Sequence, residues 1–223
     1  MTSTEVIADH RAAGRTFTAA AGMTCFVREA GDGETVLCMH GVPASSFLYG
    51  KVLDELAARD LRGVAFDLPG LGLADRPETF DYTWTGLGQY CVSAVDALGL
   101  EHFHLVVHDR GGPVGFELAA AMPDRVKSLT LLNTDGPTST RSRGRGRRSR
   151  LRDAGSARST CVRSPSRPSG SSCACGGSPI APRSPTARRA AGVATIDRLA
   201  GKHFLQEDQA PAIADLVAAI TPD

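Results

Sequence analysis

The chain has 223 residues, 42% hydrophobic and 5% aromatic, with a formal net charge of +1. That length suits one large domain or two small ones. No stretch approaches the roughly 18 apolar residues of a membrane span and no signal-peptide core opens the chain, so a cytoplasmic protein is expected.

In chain order, the first patterned stretch is "TCFVREAGDGETVLCMH" (24–40). Two apolar runs around Gly31-Asp32-Gly33 predict an antiparallel edge hairpin. Its second half, "ETVLCMH" (34–40), also opens a series of short apolar runs with "LRGVAFD" (61–67), "FHLVVH" (103–108) and "VKSLTLLN" (126–133). Such runs are expected of parallel strands buried on both faces. Between them lie helical patterns at 45–59, 83–99 and 113–123. Alternating strands and helices predict βαβ units with right-handed crossovers, and so an α/β domain.

After Gly136 the pattern stops. Residues 137–189 hold 13 arginines and a single acid, Asp153, a net +12, leaving 12 basic and 23 acidic residues elsewhere. This Arg/Ser/Pro/Gly-rich stretch has no aromatic residue and too few aliphatic ones to offset chain entropy, which predicts disorder. Patterning returns near Ala190 with a short strand, a loop carrying His203 and an amphipathic helix beginning near Pro211. Three parts follow: 1–136, 137–189 and 190–223. Cys25, Cys38 and Cys91 sit in apolar contexts as buried thiols, whereas Cys161, Cys173 and Cys175 lack metal-ligand spacing.

Reactive groups in open α/β sheets gather at the carboxyl ends of the strands. Three such ends carry His40-Gly41-Val42-Pro43, Asp67-Leu68-Pro69-Gly70 and His108-Asp109-Arg110-Gly111-Gly112. The last has the form of a nucleophile elbow, a tight strand-to-helix bend that pushes one side chain into the open. That residue is Asp109, and no G-x-S-x-G occurs in the chain, which excludes the usual serine esterase motif. A carboxylate nucleophile suits displacement at sp³ carbon, giving an ester that base-activated water then cleaves. His203, late in the chain, is the candidate base. A plainer role for Asp109 is to cap the following helix. Asp67 is expected to brace its Pro-Gly turn by an Asx-type bond, His40 and His108 to support the elbow, Asp75-Arg76-Pro77 to turn, and Trp84 to pack at a helix start.

"LCMHGVPASSFLY", "VAFDLPGLGLADRP", "LVVHDRGGPVGFELA" and "AGKHFLQEDQAPAIADLV" resemble, in this order, segments of the α/β-hydrolase superfamily. The branch is that of haloalkane dehalogenases and epoxide hydrolases. The resemblance covers about residues 17–136 and 192–220. It implies a mostly parallel sheet flanked by helices, incomplete in this chain. It also implies Asp109 as nucleophile, His203 as base, and an oxyanion hole from the backbone N–H groups of Val42 and Arg110. A small-molecule substrate and no cofactor or metal are implied as well; the oligomeric state is left open.

The departures are specific. Haloalkane dehalogenases usually hold the halide with Trp after the nucleophile and often Asn after His-Gly; Arg110 and Val42 stand there. Arg after the nucleophile resembles fluoroacetate dehalogenases, but their second Arg is Pro113 here. The cap, with the tyrosines that epoxide hydrolases use, would fall in the basic stretch, as would two further strands and the usual orienting acid. Where some members carry that acid after the fourth main strand, this chain has Asn133, which cannot offset an imidazolium charge. Asp135 is the nearest carboxylate and the candidate acid. An out-of-frame translation of GC-rich coding DNA, combined with a deletion, accounts for the abrupt edges of 137–189. Amphipathic cap-like helices in another reading frame would establish it. The expected hydrolase is therefore impaired. The alternative is a non-catalytic remnant whose basic tail adheres to polyanions, without selective nucleic-acid binding because it lacks stacking aromatics.

Overall fold

A computed structural model describes residues 2–19, 22–134, 158–164 and 195–221. Eight strands form one sheet in the order β1-β2-β4-β3-β5-β6-β7-β8. They are β1 (Arg15–Thr18), β2 (Thr24–Ala30), β3 (Glu34–Met39), β4 (Leu61–Phe66), β5 (Phe103–His108), β6 (Val126–Leu132), β7 (Arg158–Ser164) and β8 (Thr195–Ala200). The centre, β4-β3-β5-β6, is parallel, and the outer pairings are antiparallel, so six of the eight strands share one direction.

The helices are α1 (Ser3–Ala12), α2 (Gly50–Ala57), α3 (Trp84–Ala97), α4 (Gly111–Ala121), α5 (Leu205–Asp208) and α6 (Ala210–Ala218). Period-two alternation sends each central strand's side chains to opposite faces. Leu37, Met39, Leu105 and Val107 pack with Leu87, Cys91, Val95, Val114 and Leu118 of α3 and α4. Val36, Cys38 and Val106 pack on the other face with Val52, Leu53 and Leu56 of α2 and with Ile213, Ala214 and Val217 of α6. Both faces of the central sheet are thus covered, which is why its strands read as continuous apolar runs. Residues 205–218 complete the second layer. Cys25, Cys38 and Cys91 are buried free thiols, as expected.

The sequence reading erred on the hairpin. β2 does not pair with β3; β4 lies between them, antiparallel to β2 through Val27 and Phe66 and parallel to β3 through Val36 and Gly63. The link 31–33 turns beneath the start of β4. Gly31 has φ +76°, and a Cβ on Gly31 or Gly33 would overlap the Leu61 or Asp60 carbonyl. Those glycines record close backbone approach rather than a two-residue hairpin turn.

Helix α1, strand β1 and the short helix α5 had no sequence reading, and strand β7 falls in the stretch read as disordered. Helix α1 starts with a capping box in which Thr2 accepts from the Glu5 N–H and the Thr2 N–H donates to Glu5 at 2.6 Å. That T-x-x-E spacing was the available signal. Strand β7 lies inside the arginine-rich stretch; its backbone pairs with β6 and β8, which needs no apolar side chains. The remainder of 137–189 and Asp135 lie outside the described residues.

Candidate active site

The sheet order reverses at β3, whose neighbours are β4 and β5, and the carboxyl ends of β3 and β5 diverge into loops there. Crevices of this kind take ligands in open α/β sheets. Asp109 follows β5 with φ +51°, a left-handed conformation that costs a non-glycine residue energy and that the surroundings must hold. The bend is pinned on its carbonyl, which accepts the Gly112 N–H at 3.1 Å and the Thr134 hydroxyl at 2.6 Å. A Cβ on Gly111 would come 2.5 Å from the His40 carbonyl oxygen, so only glycine lets α4 start this close to β3.

The Asp109 carboxylate is split between two partners. Oδ1 accepts the Val42 N–H at 3.0 Å, and Oδ2 faces His203 Nε2 at 3.4 Å. Its side chain is 23% exposed, so it is sheltered yet reachable. Helix α4 has no side-chain cap bond, so the simple capping role for Asp109 is not realised. The space between Gly41 and Asp109 also borders the Arg110 nitrogen: a Cβ on Gly41 would lie 2.5 Å from Oδ1 and 2.8 Å from that nitrogen. The Val42 N–H thus bonds one carboxylate oxygen, and the Arg110 nitrogen lies nearby at a helix N-terminus whose dipole favours negative charge.

His203 comes from the loop between β8 and α5. Its carbonyl accepts His108 Nε2–H at 2.9 Å and the Asn133 amide at 3.0 Å, and Asn133 also reaches the Lys202 carbonyl at 3.3 Å. The His108 and His203 rings lie 4.7 Å apart between centroids. Burial pulls the His108 pKa down to about 4, leaving a neutral ring that donates through Nε2. Buried His40 is likewise shifted down by burial; Nδ1–H donates to the Gly41 carbonyl at 2.9 Å and Nε2 accepts the Leu68 N–H at 3.0 Å. Among the described residues none bonds to His203 Nδ1.

Asp67 is fully buried but not in an Asx turn. Its oxygens accept the Ser46 N–H and the Leu73 N–H, each at 2.6 Å, tying the loop after β4 to the loop after β3. The rim is apolar: Val42, Phe47, Tyr82, Trp84 and Phe204 are all exposed. The Arg110 guanidinium lies 5.4 Å from the Trp84 ring centroid, so Trp84 supports a cation as well as starting α3. A shallow cavity of about 470 Å³ is bordered by Pro43, Phe47, Leu71, Arg76 and Phe204, chain neighbours of Val42 and His203 among them, although neither Asp109 nor His203 lines it. No cluster of three or more His, Cys, Asp or Glu suited to a metal occurs among the described residues.

The sequence reading missed Thr134, and it gave His108 and Asn133 no link to His203. Such links depend on which loops meet, and the sequence carries no signal for them.

An acidic residue on a strained strand-to-helix bend, faced by a late histidine, is the arrangement of an α/β hydrolase with a carboxylate at its elbow. Residues 34–171 match the family model described as alpha/beta hydrolase fold, and the chain belongs to that family. The proteins it is similar to include haloalkane dehalogenases and epoxide hydrolases. It is 37% identical to the haloalkane dehalogenase of Psychrobacter cryohalolentis over 116 residues, 52% of this chain and 38% of that one. The crystal structure of epoxide hydrolase VrEH1 from Vigna radiata is 34% identical, with a TM-score of 0.49 over 52% of this chain and 38% of that one. That of wild-type Cfl2 from Burkholderia cenocepacia is 31% identical, with a TM-score of 0.55 over 60% of this chain and 46% of that one. The chain thus spans about two fifths of the length of the curated relative.

Proposed function

We propose that this chain is a hydrolase that cleaves a small apolar molecule at an sp³ carbon, a halide or an epoxide, through an ester on Asp109. The observation that carries the reading is the division of labour in one carboxylate. Oδ1 is held by the Val42 N–H, while Oδ2 is left facing His203.

Oδ2 attacks the carbon and the C–X bond breaks, X departing with the bonding pair. Water then attacks Cγ of the ester and gives a proton to His203 Nε2. Oδ1 takes the negative charge between the Val42 and Arg110 N–H groups, which favour charge developing at that oxygen. Collapse releases the alcohol, which takes the proton from His203 and keeps Oδ2; the water oxygen stays on Asp109. The net reaction consumes R–X and water and yields R–OH and HX.

Among the described residues no carboxylate bonds His203 Nδ1, so in this reading ester hydrolysis is the slow half. Losing the orienting group of a triad can cost on the order of 10⁴ in turnover. No described helix is long and apolar enough to cross a membrane, and the reading places the small-molecule reaction in the cytoplasm.

A single turnover of excess protein with 1-bromobutane in ¹⁸O-water tests the chemistry. The expected result is butanol without ¹⁸O and an Asp109 peptide that gains it. Labelled alcohol from the first turnover would mean direct attack by water and would overturn the reading.

A further inference from the structure

The base of the proposed reaction sits on an exposed loop after β8, a strand separated from β6 by β7. Sheet pairing alone therefore places His203 loosely relative to Asp109. Two side chains from the centre of the sheet close that gap. His108, the last residue of β5 and the immediate neighbour of Asp109, is fully buried and donates from Nε2 to the His203 carbonyl at 2.9 Å. Asn133, just past β6 with φ +42°, donates its amide to the same oxygen at 3.0 Å and to the Lys202 carbonyl at 3.3 Å.

We infer that His108 and Asn133 are positioning residues that hold His203 over the Asp109 ester by filling both lone pairs of the His203 backbone carbonyl. The inference rests on the hydrolase reading and adds to it the means by which the base is kept at 3.4 Å from the nucleophile.

The chemistry of each donor suits the task. Buried and neutral, His108 offers one N–H; its other ring nitrogen, Nδ1, is buried with no partner among the described residues, where the ring is held by the His203 carbonyl bond and packing. Since His108 and Asp109 are consecutive, any displacement of the bend carries the base with it. The amide of Asn133 faces two carbonyl oxygens, which only a donor can satisfy. An aspartate at 133 would turn a carboxylate on both. This explains an asparagine there independently of the missing acid.

The test separates the two half-reactions. Rapid mixing with 1-bromobutane, followed by intact-protein mass measurement, gives the rate at which the butyl ester forms and the rate at which it decays. In Asn133→Ala, formation is expected to be unchanged and decay to slow roughly 10- to 100-fold, the scale of a misplaced catalytic group. Asn133→Asp should slow decay similarly. His108→Gln, which keeps an N–H of similar reach, should retain more decay rate than His108→Leu. A partly unfolded variant shows itself as reduced adduct amplitude with both rates unaltered.

Decay equal to that of the unsubstituted protein, or both steps slowed in parallel, overturns the positioning role while leaving the hydrolase reading intact. Faster decay in Asn133→Asp also overturns it, because residue 133 would then be an unfilled acid position. No covalent adduct on the unsubstituted protein with either 1-bromobutane or 1,2-epoxybutane overturns the hydrolase reading itself, and the positioning role falls with it.

Discussion

Gly41 packs directly against Asp109. A single added carbon on residue 41 would lie 2.5 Å from both Cβ and Oδ1 of the carboxylate, closer than real β carbons approach anything. In Gly41→Ala the elbow backbone at Asp109-Arg110 must shift, since the added carbon would also lie 2.8 Å from the Arg110 nitrogen, and the carboxylate loses its place on the Val42 N–H. The expected outcome is at least a hundredfold slower butyl-ester formation with an unchanged far-ultraviolet circular dichroism spectrum. Normal ester formation would mean that the Val42 contact is dispensable for attack.

Asp67 should matter for stability rather than for chemistry. Its two oxygens hold the Ser46 and Leu73 N–H groups from full burial. Asp67→Ala leaves both donors unsatisfied, at a cost of about 3 kcal/mol, whereas Asp67→Asn keeps one acceptor and should lose less. Urea titration checks this: the midpoint falls and the slope stays constant. An unchanged midpoint in Asp67→Ala would show that water replaces the carboxylate freely.

Buried neutral histidines make the fold acid-sensitive before its carboxylates titrate. His40 and His108 are both shifted below their ordinary pKa by burial, His108 to about 4. Below pH 6.5 the unfolded chain takes up protons that the folded chain refuses. Their contribution is therefore complete above about pH 6.5 and declines as pH falls towards 4, levelling off once the folded ring also protonates. Urea midpoints should drop steadily between about pH 6.5 and 4.5, and less so in His108→Gln. A flat profile over that window would mean that the rings are not buried neutral.

Much of this was legible residue by residue. The run FHLVVH followed by Asp-Arg-Gly-Gly predicted the strand, the bend and a carboxylate on it, which the fold leaves half-buried, because burial on both faces demands an unbroken apolar run and close helix packing demands glycine. His203 was legible only through its family-like surroundings. The hairpin misreading at 24–40 has the opposite cause. Gly31 and Gly33 signal a tight backbone, but local chemistry does not say whether the next strand folds back or lets β4 slip between. The strand at 158–164 escaped notice because ladder hydrogen bonds come from the backbone, and composition reports only side chains.

The sequence by itself determined the central strands and the helices between them, the carboxylate at the elbow and the acidic flanks of a basic interruption, since each follows from local periodicity, turn chemistry or charge. The tertiary structure alone decided that Oδ1 meets the Val42 N–H and Oδ2 meets His203, and that His108 and Asn133 share the His203 carbonyl. Those contacts join four loops far apart in the chain, and only the strand order of the sheet brings their ends together.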